Sequence, residues 1–321
     1  MWELALLVVG VGLLVKGADW LVEGSSALAK RLGVSSLVIG LTVVAFGTST
    51  PELVVNVVSA LAGKGDVAFG NIVGSNIANI LLILGASGVL MAIRVQHSTT
   101  WKEVPFSLLA ALALLSFAAR PYLNGEGPAQ IGRAEGFVFL LFFCIFLYYV
   151  FEMTRTVKGQ EFESLEVHKL SLAKSAGFVV LGLAALYFGG RWTVDGAVFI
   201  ATLAGISEYV IGLTIVAVGT SLPELFTSVL AAWRGDSDLA VGNVVGSNIF
   251  NVFLVLGTTS VIAPVSVPKG GIADLFALVA ATLALFLCMF VGKKHELERW
   301  QAGSFLVLYA VFVAWLVVRG G

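Results

Sequence analysis

Residues 40–53 read GLTVVAFGTSTPEL, and residues 212–225 read GLTIVAVGTSLPEL, identical at 11 of 14 positions. A second pair keeps the same spacing: GNIVGSNIANILLILG at 70–85 and GNVVGSNIFNVFLVLG at 242–257 agree at 11 of 16 positions. One offset in the numbering relates both pairs, 40 to 212 and 70 to 242, so the chain is built from two related halves. The polar residues inside these motifs are out of place by ordinary rules, because each motif lies in a run apolar enough to enter a membrane.

The surroundings set the solvent. Apolar residues make up 58% of the chain and charged ones only 12%, and apolar runs recur at the length of about 18 residues or more that spans roughly 30 Å of hydrocarbon. Alternating ten-residue segments, the mark of an outer-membrane barrel, are missing, so the expected fold is an all-α integral membrane protein. Hydropathy places spans near 2–28, 35–61, 67–93, 104–119, 131–155, 173–200, 208–232, 239–263, 271–291 and 302–319. Ten spans put both termini on one side. With both outside, twelve Lys and Arg fall in inner loops against six in outer ones, as the positive-inside rule requires. The start, MWELALLVVG, has neither basic flank nor cleavage signal and is expected to be a retained span. Cys144 and Cys288 lie in separate apolar runs and are expected to be buried thiols. The net charge of −1 offers no basic surface to nucleic acid.

Five spans separate each motif from its copy. The copies therefore cross in opposite directions, giving two inverted five-helix repeats with broken helices near the midplane, the architecture of secondary transporters. The expected divisions are a first half at 1–156 with its repeat motif at about 36–87, a cytoplasmic linker at 157–172, and a second half at 173–321 with its motif at about 208–259. The linker contains the polar stretch KGQEFESLEVHK, 158–169.

Pro51 and Pro223 remove a backbone donor and obstruct the carbonyls of Gly47 and Gly219. Carbonyls freed at the C-terminal end of a half-helix can be satisfied by a cation. Glu52 and Glu224, one residue past each proline, cost several kcal/mol to keep charged at that depth without a counter-charge. The expected source of that counter-charge is a cation substrate. Thr48, Ser49, Thr220 and Ser221 add hydroxyl oxygens within a turn of each carboxylate, a hard-oxygen set suited to calcium or sodium. The second motif adds Asn71, Ser75 and Asn79 on one helix face and Asn243, Ser247 and Asn251 on the other. Its paired glycines, Gly70 with Gly74 and Gly242 with Gly246, allow close helix approach. On span one, Lys16 can pair with Asp19 at i+3, with Glu23 one turn further on.

GTSTPE and GTSLPE, followed by GNIVGSNIAN and GNVVGSNIFN, resemble the α-repeats of the cation/calcium exchanger superfamily, and specifically its sodium/calcium exchanger branch in prokaryotic form. The resemblance implies an antiporter exchanging sodium for calcium by alternating access, not an enzyme, with no cofactor. It implies that Glu52 and Glu224 bind calcium with the backbone carbonyls of Thr48 and Thr220. Sodium would share the carboxylates and use Ser49, Ser75, Ser221 and Ser247, the carbonyls of Ala45 and Ala217, and Asn79 and Asn251. It implies that the first and sixth spans slide over the other eight. In the potassium-cotransporting branch an Asp at the second of these Asn positions goes with potassium; here both are Asn, which argues against potassium dependence. The short linker leaves no room for a regulatory calcium-binding domain.

The expected setting is a plasma membrane, with lipid and the two ions as partners and a single chain as the working unit. Coupling to protons or to another cation is the alternative within transport, and a passive cation channel is the alternative outside it.

Overall fold

The computed structural model describes residues 2–125, 129–156, 170–203 and 217–320. Among these, eight helices are long and apolar enough to cross a membrane, and up to nine if one bent pair is a single span. The main helices are α1 (Trp2–Leu32), α2 (Ser36–Thr48), α3 (Thr50–Leu61), α4 (Gly65–Leu90), α5 (Glu103–Ala118), α6 (Arg133–Thr156), α7 (Leu172–Leu203), α8 (Ala217–Thr220), α9 (Leu222–Trp233), α10 (Ser237–Ile262), α11 (Gly271–Cys288) and α12 (Arg299–Gly320). Most expected spans reappear within a few residues. The expected linker residues 157–169 and the start of the seventh span, 208–216, lie outside the described residues.

The only strands among the described residues are four two-residue pieces. β1 (Ile93–Arg94) pairs with β4 (Glu296–Leu297), and β2 (Gln130–Ile131) with β3 (Val265–Ser266). Each ties a loop of one half to a loop of the other and satisfies backbone groups where the helices end.

α10 and α4 form the centre, and almost all of α10 is buried. α10 packs on α2, α4, α5 and α9, while α9 packs in turn on the second part of α4. Each motif thus leans on the other half. The glycines of the second motif serve this crossing: a Cβ on Gly242 would sit 2.9 Å from the Leu37 carbonyl oxygen, and one on Gly246 2.8 Å from the Ala45 Cβ. The equivalent partners of Gly70 and Gly74 would be residues 209 and 217, at the edge of or outside what is described.

α1 and α7 form an antiparallel pair on the flank. Gly10, Gly17 and Gly24 on α1 and Gly182, Gly189 and Gly196 on α7 recur at a seven-residue spacing, so their backbones touch. A Cβ on Gly17 would lie 2.9 Å from the Gly182 carbonyl oxygen, and one on Gly189 2.8 Å from that of Gly10. The outer surface stays apolar, with Val8, Leu141, Val180 and Val307 exposed as lipid would require. Cys144 belongs to that surface and is exposed, and Cys288 is half-buried; both are free thiols. The expectation of two buried thiols is corrected here, since an apolar run facing lipid covers nothing with protein.

Candidate cation-binding site

α2 and α3 meet at 42°, and the break falls at Ser49, whose backbone (φ −84°, ψ 3°) leaves the helical region. Ser221 does the same between α8 and α9 (φ −91°, ψ 7°). The prolines occupy the first turn of the following helix, where a missing N–H costs nothing. They start helices rather than interrupt them, and the ladder resumes at once: Ser49 N–H donates to the Ala45 carbonyl at 3.0 Å and Leu53 N–H to the Ser49 carbonyl at 3.1 Å. The Ala45 carbonyl also accepts from the Thr48 hydroxyl at 3.4 Å, the longer of its two contacts, so a cation there would displace that hydroxyl.

Glu52 and Glu224 stand in the first turns of α3 and α9, where the positive end of the helix dipole favours a carboxylate. They are 0% and 1% exposed. Each broken span therefore contributes a carboxylate at the head of one helix and carbonyls at the tail of another. Glu224 lies close enough to act electrostatically on Glu52, and neither forms an ion pair among the described residues.

The halves interlock around the two acids. Ser49 donates to Glu224 Oε1 at 3.3 Å, and Ser247 to the same oxygen at 3.5 Å. Thr48 donates to Asn243 Oδ1 at 3.1 Å and Thr220 to Asn71 Oδ1 at 3.2 Å, matching contacts across the two halves. The remaining oxygens are unsatisfied: Glu52 Oε1 and Oε2, Glu224 Oε2, Ser75 Oγ, Ser221 Oγ, Asn79 Oδ1 and Asn251 Oδ1 have no hydrogen-bond partner among the described residues. Buried acceptors of this kind are costly unless something positive meets them. They fit a cation.

Four asparagines set that arrangement. Asn79 Nδ2 donates to Asn248 Oδ1 at 2.9 Å, and Asn251 Nδ2 to Asn76 Oδ1 at 3.0 Å. Asn76 and Asn248 bond each other's backbone carbonyls at 3.2 and 3.3 Å. With both nitrogens of the outer pair occupied, Asn79 and Asn251 are left presenting oxygen. Both sit at the start of π-helical turns, Ala78–Leu84 and Asn251–Leu256, which widen the helix locally. Asn56, absent from the residues expected at the site, fastens the Glu52 carbonyl at 2.6 Å; Asn243 does the same for Glu224 at 3.4 Å and also bonds Ser228. The sequence signal for Asn56 is a polar residue one turn past the acid. The backbone of Ala217 opens α8; its side chain is outside the described residues.

No group of three His, Cys, Asp or Glu that could hold a metal occurs among the described residues. Two carboxylates and neutral oxygens are the available ligands. The profile of the family described as sodium/calcium exchanger protein matches residues 2–152 and 174–318.

The chain belongs to the sodium/calcium exchanger family.

This exchanger is 38% identical over 310 residues to the putative antiporter CaxA of Alkalimonas amylolytica, covering 94% of this chain and 95% of that one. It is 32% identical over 346 residues to the sodium/calcium exchanger MaX1 of Methanosarcina acetivorans, covering 98% and 97%. Its fold matches that of the sodium-calcium exchanger NCX_Mj soaked with 2.5 mM Na+ and 0.1 mM Ca2+, with a TM-score of 0.82, 31% identity and 98% of each chain covered.

Proposed function

We propose that this exchanger carries calcium in one direction and sodium in the other through the site between α2–α3 and α8–α9, by alternating access. The observation that supports it is the set of unsatisfied buried oxygens around Glu52 and Glu224. The chain is organised as ten spans in two inverted five-helix repeats, residues 1–156 and 173–321, joined by a cytoplasmic linker at 157–172, with both termini outside a plasma membrane. Glu52 and Glu224 hold calcium with the Thr48 and Thr220 carbonyls. Sodium takes the same carboxylates with Ser49, Ser75, Ser221, Ser247, Asn79, Asn251 and the carbonyls of Ala45 and Ala217. Burial of either acid without an ion is the unfavourable state, so a cation must be bound for the site to cross.

Purified protein in sealed liposomes tests the proposal. An outward sodium gradient alone drives calcium uptake against its own gradient. Uptake driven by a proton gradient without sodium would assign the coupling ion to the proton, and flux that only ever runs down the calcium gradient would make the protein a channel.

A further inference from the structure

Two contacts fasten one end of α1 to the second half of the chain. Arg234, at the end of α9, bonds Asp19, which also accepts from Lys16 at 2.6 Å. Further along α1, Ser26 Oγ donates to Asp236 Oδ2 at 2.8 Å. Asp236 is 4% exposed, and its other oxygen caps α10 by accepting from Leu239 N–H at 3.0 Å. The contacts join α1 to the turn between α9 and α10, the second of them at the cap of the most buried helix of the molecule.

The repeat supplies no second copy. The offset between the halves turns Asp19 into Arg191, Ser26 into Val198, Arg234 into Ala62 and Asp236 into Lys64. Ala62 offers Arg191 no carboxylate, the Val198 side chain has no donor, and Lys64 is no acceptor. Arg191 pairs instead with Asp195 on its own helix, at 3.9 Å. Packing follows the same asymmetry: α1 lies along α9, whereas α7 makes no comparable contact with α3.

We infer that Asp19–Arg234 and Ser26–Asp236 form a one-sided latch, which positions α1 against α9 and holds shut the face that carries Lys30, Arg31 and Arg234. The inference rests on the alternating-access reading above. Opening that face requires both contacts to break, while opening the other breaks neither. Two otherwise equivalent states thus differ in energy through four residues that never touch the ion. On the proposed topology the latched face is cytoplasmic.

Ser25 is a reporter placed at the latch. It is 0% exposed, its hydroxyl is unpartnered among the described residues, and cysteine matches its shape. With Cys144 and Cys288 changed to Ser, the S25C protein in lipid nanodiscs, free of sodium and calcium, is treated with a membrane-impermeant maleimide. Adding R234Q and S26A speeds labelling about five-fold or more, the population shift expected from losing contacts of this class. The charge swap D19R/R234D restores slow labelling, which a merely unfolded protein would not do. A cysteine at Ala197, the repeat equivalent of Ser25, reacts no faster when the latch is cut. Equal S25C rates with and without the latch overturn the inference. Sodium-driven calcium uptake is measured on the same proteins: its absence from the parent would remove the alternating-access reading, whereas uptake with unchanged labelling removes the latch alone.

Discussion

A carboxylate in a membrane interior is tolerable only while something offsets its charge, and Glu52, with two bare oxygens, is the more exposed to that requirement of the two acids. Glu52→Gln removes the charge and leaves an amide of the same size. We expect calcium-dependent exchange to fall by about 100-fold or more while ion-free thermal stability rises by a few degrees, since the cost of burying an unpaired charge is gone. Glu224→Gln has the same effect on exchange with a smaller gain in stability, because Glu224 Oε1 already has two hydroxyl donors. Scanning fluorimetry and calcium uptake check both; calcium/calcium exchange at the parent rate in either variant would separate the acid from the site. The asparagines divide differently. Asn248→Ala frees the Asn79 amide to turn, so sodium dependence should shift to higher concentration while calcium/calcium exchange changes little, as two uptake assays on one preparation would show. The acids and serines were legible because each occurs twice in register within an apolar run. The part played by Asn76 and Asn248 was not, because the amides bond only across the interface between the halves, and a linear sequence does not reveal which amide faces which.

At the scale of the element, the α1–α7 pair gives the sharpest contrast available on a single helix. Gly17 faces the α7 backbone, which cannot give way, while a Cβ on Gly12 would meet nothing within 4 Å. Gly17→Ala should therefore force the helices apart, cost about 1–3 kcal/mol and lower exchange, whereas Gly12→Ala should be neutral or slightly stabilising through helix propensity. Thermal midpoints of the two variants in one detergent decide it; equal values would mean that the close approach is not energetically used. The pairing itself was written in the sequence, as glycines at a seven-residue spacing in two spans related by the repeat, but it lies outside the two motifs that carry the polar residues. Other features had no such signal. The π-helical turns at Ala78 and Asn251 follow from packing between helices of different halves, and no local preference of Ile, Leu and Val announces them. The prolines read as interruptions of one helix because hydropathy runs straight through them; only the backbone at Ser49 and Ser221 shows that each opens a new one.

For the whole molecule the open quantity is the charge carried per cycle. Glu52 and Glu224 together bring two negative charges, and no cationic side chain is paired with them among the described residues. One calcium ion neutralises the pair, and so would two sodium ions, which on charge alone makes two-for-one exchange electroneutral. The number of oxygens argues for more. Ser75, Ser221, Asn79 and Asn251 each present an unpartnered buried oxygen beyond those of the acids, and Ser49 and Ser247 stand beside Glu224. That is more than two sodium ions sharing two carboxylates would need, and carbonyls at the tails of α2 and α8 partly offset an extra positive charge. A third sodium gives the sodium-loaded state a net charge of about +1, and each cycle then couples to roughly 2.3 kcal/mol per 100 mV of membrane potential. Three sodium ions leaving for one calcium entering move one positive charge outward, so an inside-positive potential favours calcium entry. In sodium-loaded proteoliposomes clamped with a potassium gradient and valinomycin, calcium uptake should accelerate when the interior is made positive and slow when it is made negative. With the potential clamped at zero, replacing potassium by choline should leave the rate unchanged, because neither Asn79 nor Asn251 supplies the acid associated with potassium. Uptake indifferent to the potential in both directions would remove the third sodium and leave the two carboxylates to set the whole charge balance of the cycle.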